Sequence, residues 1–163
     1  MNGNDTGLAL ARALIETCAT GGLRLAVAES CTGGMVAATI TDIAGSSAVL
    51  DRGFVTYSNE AKVAMVGVRP GTLEAFGAVS RQTAVEMAEG ALAGSRADIA
   101  VSVTGIAGPG GGSEEKPVGL VHFACARRGG VIRFEHHRFV GDRRFVREAA
   151  VNRALALMLE AAG

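Results

Sequence analysis

The sequence predicts an α/β layered domain built on a mixed sheet, and three observations carry that reading. Two short apolar runs, at residues 25–28 and 99–103, each end in a turn of small residues, as buried strands do. Segments of helical periodicity alternate with strand-like ones, the pattern of a sheet covered by helices. Near the end, residues 118–126 and 131–140 flank Gly129-Gly130, a hairpin signal that adds antiparallel pairing. No internal repeat or linker interrupts the 163 residues, so residues 1–163 read as one domain, long enough for a substantial core.

The elements follow in order. Residues 8–18 carry Leu10, Ala13, Leu14, Thr17 and Cys18 at helical spacing, and Gly21-Gly22 ends the segment. After the strand at 25–28 comes Glu29-Ser30-Cys31-Thr32-Gly33-Gly34, then a small, apolar helix at 35–43 closed by Gly45. Ser46-Ser47 is a turn and residues 49–57 read as a strand. Ser58-Asn59 starts a helix that runs to Val66, with Glu60 in its first turn. Pro70-Gly71 opens a turn, 72–76 makes one helical turn, and 80–92 forms a helix with Ala84, Val85, Ala88 and Leu92 on one side. The strand at 99–103 runs into the glycine-rich segment 105–112. After the hairpin, residues 142–162 form the last helix, carrying Phe145, Val146, Ala149, Val151, Leu155 and Leu159.

Composition excludes several function classes. Aromatic residues make up 4% and tryptophan is absent, which leaves no stacking platform for single-stranded nucleic acid. Sixteen basic and sixteen acidic residues cancel, so no overall charge draws the chain to nucleic acid or an anionic membrane. No apolar run approaches bilayer length, and the polar start lacks the basic-then-apolar order of a signal segment. Three cysteines, odd in number and widely spaced, suit a reduced, cytoplasmic chain. The histidines offer no ligand spacing, since His136 and His137 are strand neighbours on opposite faces; no metal and no cofactor is expected.

Three places could do chemistry. Strand, tight turn and helix put Ser30 at the lip of the sheet, with the amides of Cys31, Thr32, Gly33 and Gly34 as helix-start donors. A hydroxyl beside an anion site points to acyl transfer, with those amides holding an oxyanion; equally, Ser30 reads as a plain N-cap. Lys62 lies early in the helix after the second strand, where the helix dipole and partial burial favour its neutral form. If the first two strands are parallel neighbours, Ser30 and Lys62 meet as nucleophile and base; otherwise Lys62 is a solvated surface residue. Eight of the sixteen basic residues follow residue 126. Arg143, at the start of the last helix, could fork onto a phosphate or carboxylate, with Arg144 and Arg147 as alternatives. The glycine-rich segment lacks the ending of a P-loop and reads as a substrate-covering loop or a flexible connection. Ser113 and Lys116 have Ser-x-x-Lys spacing, but the preceding glycines and Pro117 argue against the helix that such a pair needs.

Four motifs in sequence order, at residues 28–34, 57–62, 103–111 and 141–143, resemble those of the CinA C-terminal domain family, and the resemblance spans about residues 8–161. It implies a three-layer α/β/α sandwich with a mixed, mostly parallel sheet, and the hydrolysis of nicotinamide mononucleotide to nicotinate mononucleotide and ammonia. By the resemblance Ser30 is the nucleophile and Lys62 its general base, while Tyr57, Thr104, Gly105 and Arg143 fall on motif positions around the substrate. The alternative is a non-catalytic nucleotide-binding module that regulates a partner. The expected partner is a small nucleotide, with neither nucleic acid nor membrane involved, and the expected assembly is a homo-oligomer.

Overall fold

The computed structural model describes residues 2–163. Five strands make one sheet: β1 (Leu25–Glu29), β2 (Leu50–Val55), β3 (Ile99–Gly105), β4 (Leu120–Arg127) and β5 (Ile132–Arg138), in the order β2-β1-β3-β4-β5. β1 pairs in parallel with both β2 and β3, whereas β4 is antiparallel to β3 and β5. The sheet is therefore mixed, with parallel pairing at the β1 centre. Six helices accompany the strands: α1 (Gly3–Gly21), α2 (Met35–Thr41), α3 (Asn59–Val66), α4 (Pro70–Phe76), α5 (Arg81–Ala93) and α6 (Arg143–Ala162). A single 3₁₀ turn, Ser46–Ala48, precedes β2.

All predicted elements occur, with shifted ends. α1 starts five residues earlier than the apolar stripe at Leu8, because the Asp5 carboxylate accepts from the Asn2 amide and a polar capped turn extends the helix. β4 begins at Leu120 rather than residue 118, because Gly119 turns there at φ 92°, with Phe139 O so close that a Cβ would lie 2.0 Å from it.

The layers follow from strand alternation. Leu25 and Val27 of β1 join Ile99, Val101, Val103, Val121 and Phe123 on one face, under α1, α2 and α6. Ala26, Ala28, Ala100, Ala124 and Ala126 occupy the other face, where α3, α4 and α5 pack. Bulky residues thus cover one face of the sheet and alanines the other. On the alanine side α5 crosses the end of α3 closely: a Cβ on Gly90 would lie 1.7 Å from the Val66 carbonyl oxygen.

Topology decides where a ligand can sit. From β1 the chain goes to β2 on one side, then crosses through α3, α4 and α5 to β3 on the other. The carboxyl ends of β1 and β3 therefore flank a crevice at a reversal of strand order, the usual binding place in open α/β sheets. A substitution at the close crossing tests the packing. Gly90→Ala is expected to lose about 3 kcal/mol or more, since backbone must move to admit the methyl group, read as a lower urea midpoint at unchanged slope.

Candidate active site

Ser30 directly follows β1, and its amide donates to Val103 O of β3 (2.9 Å), which fixes it at the crevice. It is not the N-cap of α2. Gly34 stands at the cap with φ 103°, and the carboxylate of Glu29 takes the capping role: its oxygens accept from the Val36 amide (2.8 Å) and the Ala37 amide (3.1 Å). Glu29 is 1% exposed, with its carboxylate oxygens seated on the helix start. That arrangement releases the Ser30 hydroxyl for something else.

The hydroxyl meets Lys62. Nζ of Lys62 lies 3.0 Å from Ser30 Oγ and donates to Thr56 O (2.8 Å), with a longer contact of 3.5 Å to Tyr57 O. Local structure explains the placement. Thr56 continues β2 by donating its amide to Glu29 O (2.8 Å), and Ser58 Oγ caps α3 by accepting from the Ala61 amide (3.0 Å). Lys62, one helical turn beyond Ser58, is thereby aimed back across the strand ends. It is 1% exposed, and its partners are uncharged oxygens. Burial pushes its amine below the ordinary lysine value; a thiolate at Cys31 would oppose the shift. That thiol is itself buried and pushed up to about 12, so it is neutral at pH 7. A neutral amine has two N–H groups for the two carbonyls and one lone pair for the hydroxyl.

Around the pair lies a cleft of about 280 Å³. Tyr57, Asn59, Val79, Thr104, Gly105 and Arg143 are among its lining residues, so the structure gathers every side chain expected around a substrate. Thr104 Oγ1 donates to Ala78 O (2.8 Å), tying the end of β3 to the loop before α5. Arg143 spans the mouth: Nη1 donates to Gly108 O (2.8 Å) and Nη2 to Tyr57 Oη (3.3 Å). Its two rivals are engaged elsewhere. Arg144 is an exposed partner of Glu148 (2.7 Å), and Arg147 donates to the carbonyls of Cys31 (3.1 Å) and Thr32 (3.2 Å) behind the Ser30 turn.

Not all of the four expected donors are available. The Gly33 amide donates to Ser30 O (3.0 Å), closing the turn, so Gly33 contributes its positive φ of 58° rather than a free N–H. Sequence reasoning missed Glu29 as a site residue, and named Arg147 only as an alternative phosphate ligand, not for its contacts behind the turn. The signal for Glu29 is an acid closing an apolar strand just before a helix; for Arg147 there is none, because its partners lie 115 and 116 residues away. Ser113 and Lys116 form a local turn, with Lys116 Nζ donating to Phe76 O (2.5 Å). Among the described residues no helix is long and apolar enough to cross a membrane, and no three His, Cys, Asp or Glu side chains cluster as metal ligands. A wider trough of about 770 Å³ beside α3 and α5 contains none of the expected residues.

Comparison with known proteins gives the family. The family model of the CinA C-terminal domain matches residues 8–162. The chain is similar to the nicotinamide-nucleotide amidohydrolase PncC of Escherichia coli K12, at 62% identity over 136 residues, covering 82% of this chain and 81% of that protein. It is 49% identical over 155 residues to the CinA-like protein of Akkermansia muciniphila, covering 95% of this chain but 37% of that protein. The chain thus spans about a third of the length of the longer curated relatives it matches. Among solved structures, the competence/damage inducible protein CihA of Agrobacterium tumefaciens aligns with a TM-score of 0.94 at 55% identity, covering 96% of this chain and 95% of that one.

The buried amine has a consequence for stability. A lysine whose folded pKa is lowered subtracts from stability at any pH below its unfolded value of ~10.4. The penalty grows as pH falls toward the folded value, and vanishes where both states are neutral. Lys62→Met is therefore expected to be no less stable than the parent at pH 7, with its relative gain fading toward alkaline pH. Urea midpoints measured at both ends of that range check this, and a clearly less stable variant at pH 7 contradicts it.

Proposed function

From the premise that the chain belongs to the CinA C-terminal domain family, we propose that it is a nicotinamide-nucleotide amidase acting as a single domain through Ser30 and Lys62. The substrate is nicotinamide mononucleotide, and the products are nicotinate mononucleotide and ammonia. One observation above all supports this: a buried amine without a counter-ion, 3.0 Å from a hydroxyl at a strand end. Burying an amine is costly, and a lowered pKa is what a general base at neutral pH needs.

In this mechanism Lys62 accepts the Ser30 proton while Oγ bonds to the carboxamide carbon. The carbonyl oxygen becomes an oxyanion held by the amides left without acceptors after Ser30, those of Cys31 and Thr32, with Gly34 further round the turn. Collapse breaks the C–N bond, and Lys62 returns its proton to the departing ammonia. Water, deprotonated by the same amine, then attacks the acyl-enzyme and frees the acid and Ser30. Arg143 receives the phosphate by turning its fork from Gly108 O and Tyr57 Oη, and Thr104, Gly105 and Tyr57 line the ring and ribose.

A regulatory module that only binds a nucleotide would use the glycine-rich loop and Arg143 equally well, but it gives Lys62 no reason to be buried. Nothing is carried over from the rest of the longer relatives. The reading places the reaction in the cytoplasm, and three buried, unpaired cysteines suit a reducing compartment.

Ammonia release from nicotinamide mononucleotide by the pure protein tests the proposal. Ser30→Ala is expected to remove turnover by several orders of magnitude with substrate affinity kept, whereas Cys31→Ala stays active because that thiol is packed in the core and held neutral. Turnover by Ser30→Ala near the parent rate would remove Ser30 as nucleophile. Arg143→Lys replaces a fork with a point charge. It is expected to lower kcat/KM strongly for the nucleotide and little for free nicotinamide, and equal losses on the two would take the phosphate away from Arg143.

A further inference from the structure

We propose that Arg147 is a positioning residue that aims the oxyanion-binding amides after Ser30; this rests on the hydrolytic reading above. Its guanidinium lies behind the turn rather than among the residues lining the cleft, and bonds two consecutive carbonyls, Cys31 O through Nε (3.1 Å) and Thr32 O through Nη2 (3.2 Å).

A trans peptide unit is planar, so its N–H points opposite to its C=O. Holding Thr32 O toward Arg147 therefore turns the Gly33 N–H away from it. That N–H does point away, donating to Ser30 O (3.0 Å). By the same geometry, holding Cys31 O toward Arg147 turns the Thr32 N–H away from Arg147, and here no protein acceptor receives it. One side chain thus helps set two peptide planes: one closes the turn, and the other leaves the N–H of Thr32, two residues after the nucleophile, without a protein acceptor. A cation on the carbonyl also polarises that amide and strengthens its N–H as a donor.

The turn's own backbone bonds, from the Gly33 amide to Ser30 O and from the Met35 amide to Thr32 O (3.0 Å each), leave Cys31 O to an outside brace. Gly33 and Gly34 both stand at positive φ, 58° and 103°, conformations in which glycine is unconstrained. Glu29 grips the helix just beyond, through Val36 and Ala37, and the Met35 amide donates to Thr32 O (3.0 Å), which leaves the Cys31–Thr32 peptide as the one that depends on Arg147. α6 therefore supplies two separate tools one turn apart, Arg143 for the cleft mouth and Arg147 for the turn behind the nucleophile.

The test compares Arg147→Met and Arg147→Lys with the parent, well below each melting temperature, in two reactions. On nicotinamide mononucleotide, Arg147→Met is expected to lose roughly 10- to 100-fold in kcat, less than outright removal of an oxyanion donor, with KM within about threefold. The pH at which activity rises should stay in place, because Lys62 keeps its own partners, Thr56 O and Ser30. Arg147→Lys, which reaches one carbonyl, should retain more kcat than the methionine variant. In the second reaction a small fluorophosphonate labels Ser30: the Oγ–P bond forms, the P–F bond breaks, fluoride leaves and the hydroxyl proton passes to Lys62. Labelling should slow in the same order, since the phosphoryl oxygen uses the same amides.

A variant that only melts earlier, with parental kcat and labelling rate, overturns the inference. So does a displaced pH limb, or a lysine variant no better than methionine. If Arg147→Met does not fold, the lysine variant decides on the same split. If the parent labels but releases no ammonia, the nucleotide substrate is wrong, and the labelling series alone decides on Arg147. A parent that does neither overturns both proposals.

Discussion

Lys62 is a charge-bearing group taken out of water without an opposite charge to meet it, and the architecture around it is arranged to make that tolerable. Three neighbouring elements must converge for its Nζ to find oxygens at all: the end of β1 brings Ser30, the continuation of β2 brings Thr56 O, and the cap at Ser58 orients α3. Parallel pairing of β1 with β2 sets the two strand ends at one level, and parallel pairing of β1 with β3 adds the Ser30–Val103 bond that holds the hydroxyl still. Had β2 been antiparallel to β1, Thr56 and Lys62 would sit at the far end of the sheet from Ser30.

The division of labour at residues 29 and 30 is equally physical. A helix start leaves amides that must be satisfied, and the nearest short polar side chain would ordinarily do it. Here the burden falls on Glu29, whose longer side chain reaches back to Val36 and Ala37 from inside the sheet. The carboxylate gains the positive end of the helix dipole, the helix gains a cap, and the serine is left uncommitted. Burial of Glu29 and freedom of Ser30 are two sides of one arrangement.

Much of this was legible in the sequence. The apolar run before Ser30, the Ser58-Asn59 start and the Gly129-Gly130 hairpin each depend on neighbours within a few residues, and each element was found in its place. The two helical layers were legible as periodicity, though not which of them meets bulky side chains and which alanines, because that depends on which strand positions share a face with Ala26 and Ala28. What stayed hidden depended on distant partners. Whether Ser30 caps a helix or faces a lysine is settled by Glu29 and by strand order, neither of which periodicity reports. Arg143, Arg144 and Arg147 look alike in sequence; only the angular position of each on α6 separates a cleft residue from a surface ion pair and from a brace behind the turn.

Arg143 carries one more consequence. Its fork already donates to Gly108 O and Tyr57 Oη, so the guanidinium at the mouth of the cleft is engaged by the protein's own oxygens before any ligand arrives. An incoming anion exchanges one set of hydrogen bonds for another, and gains only the difference. In the reading proposed above, a ligand that also fills the cleft would add contacts there that chloride or free phosphate does not bring to that exchange.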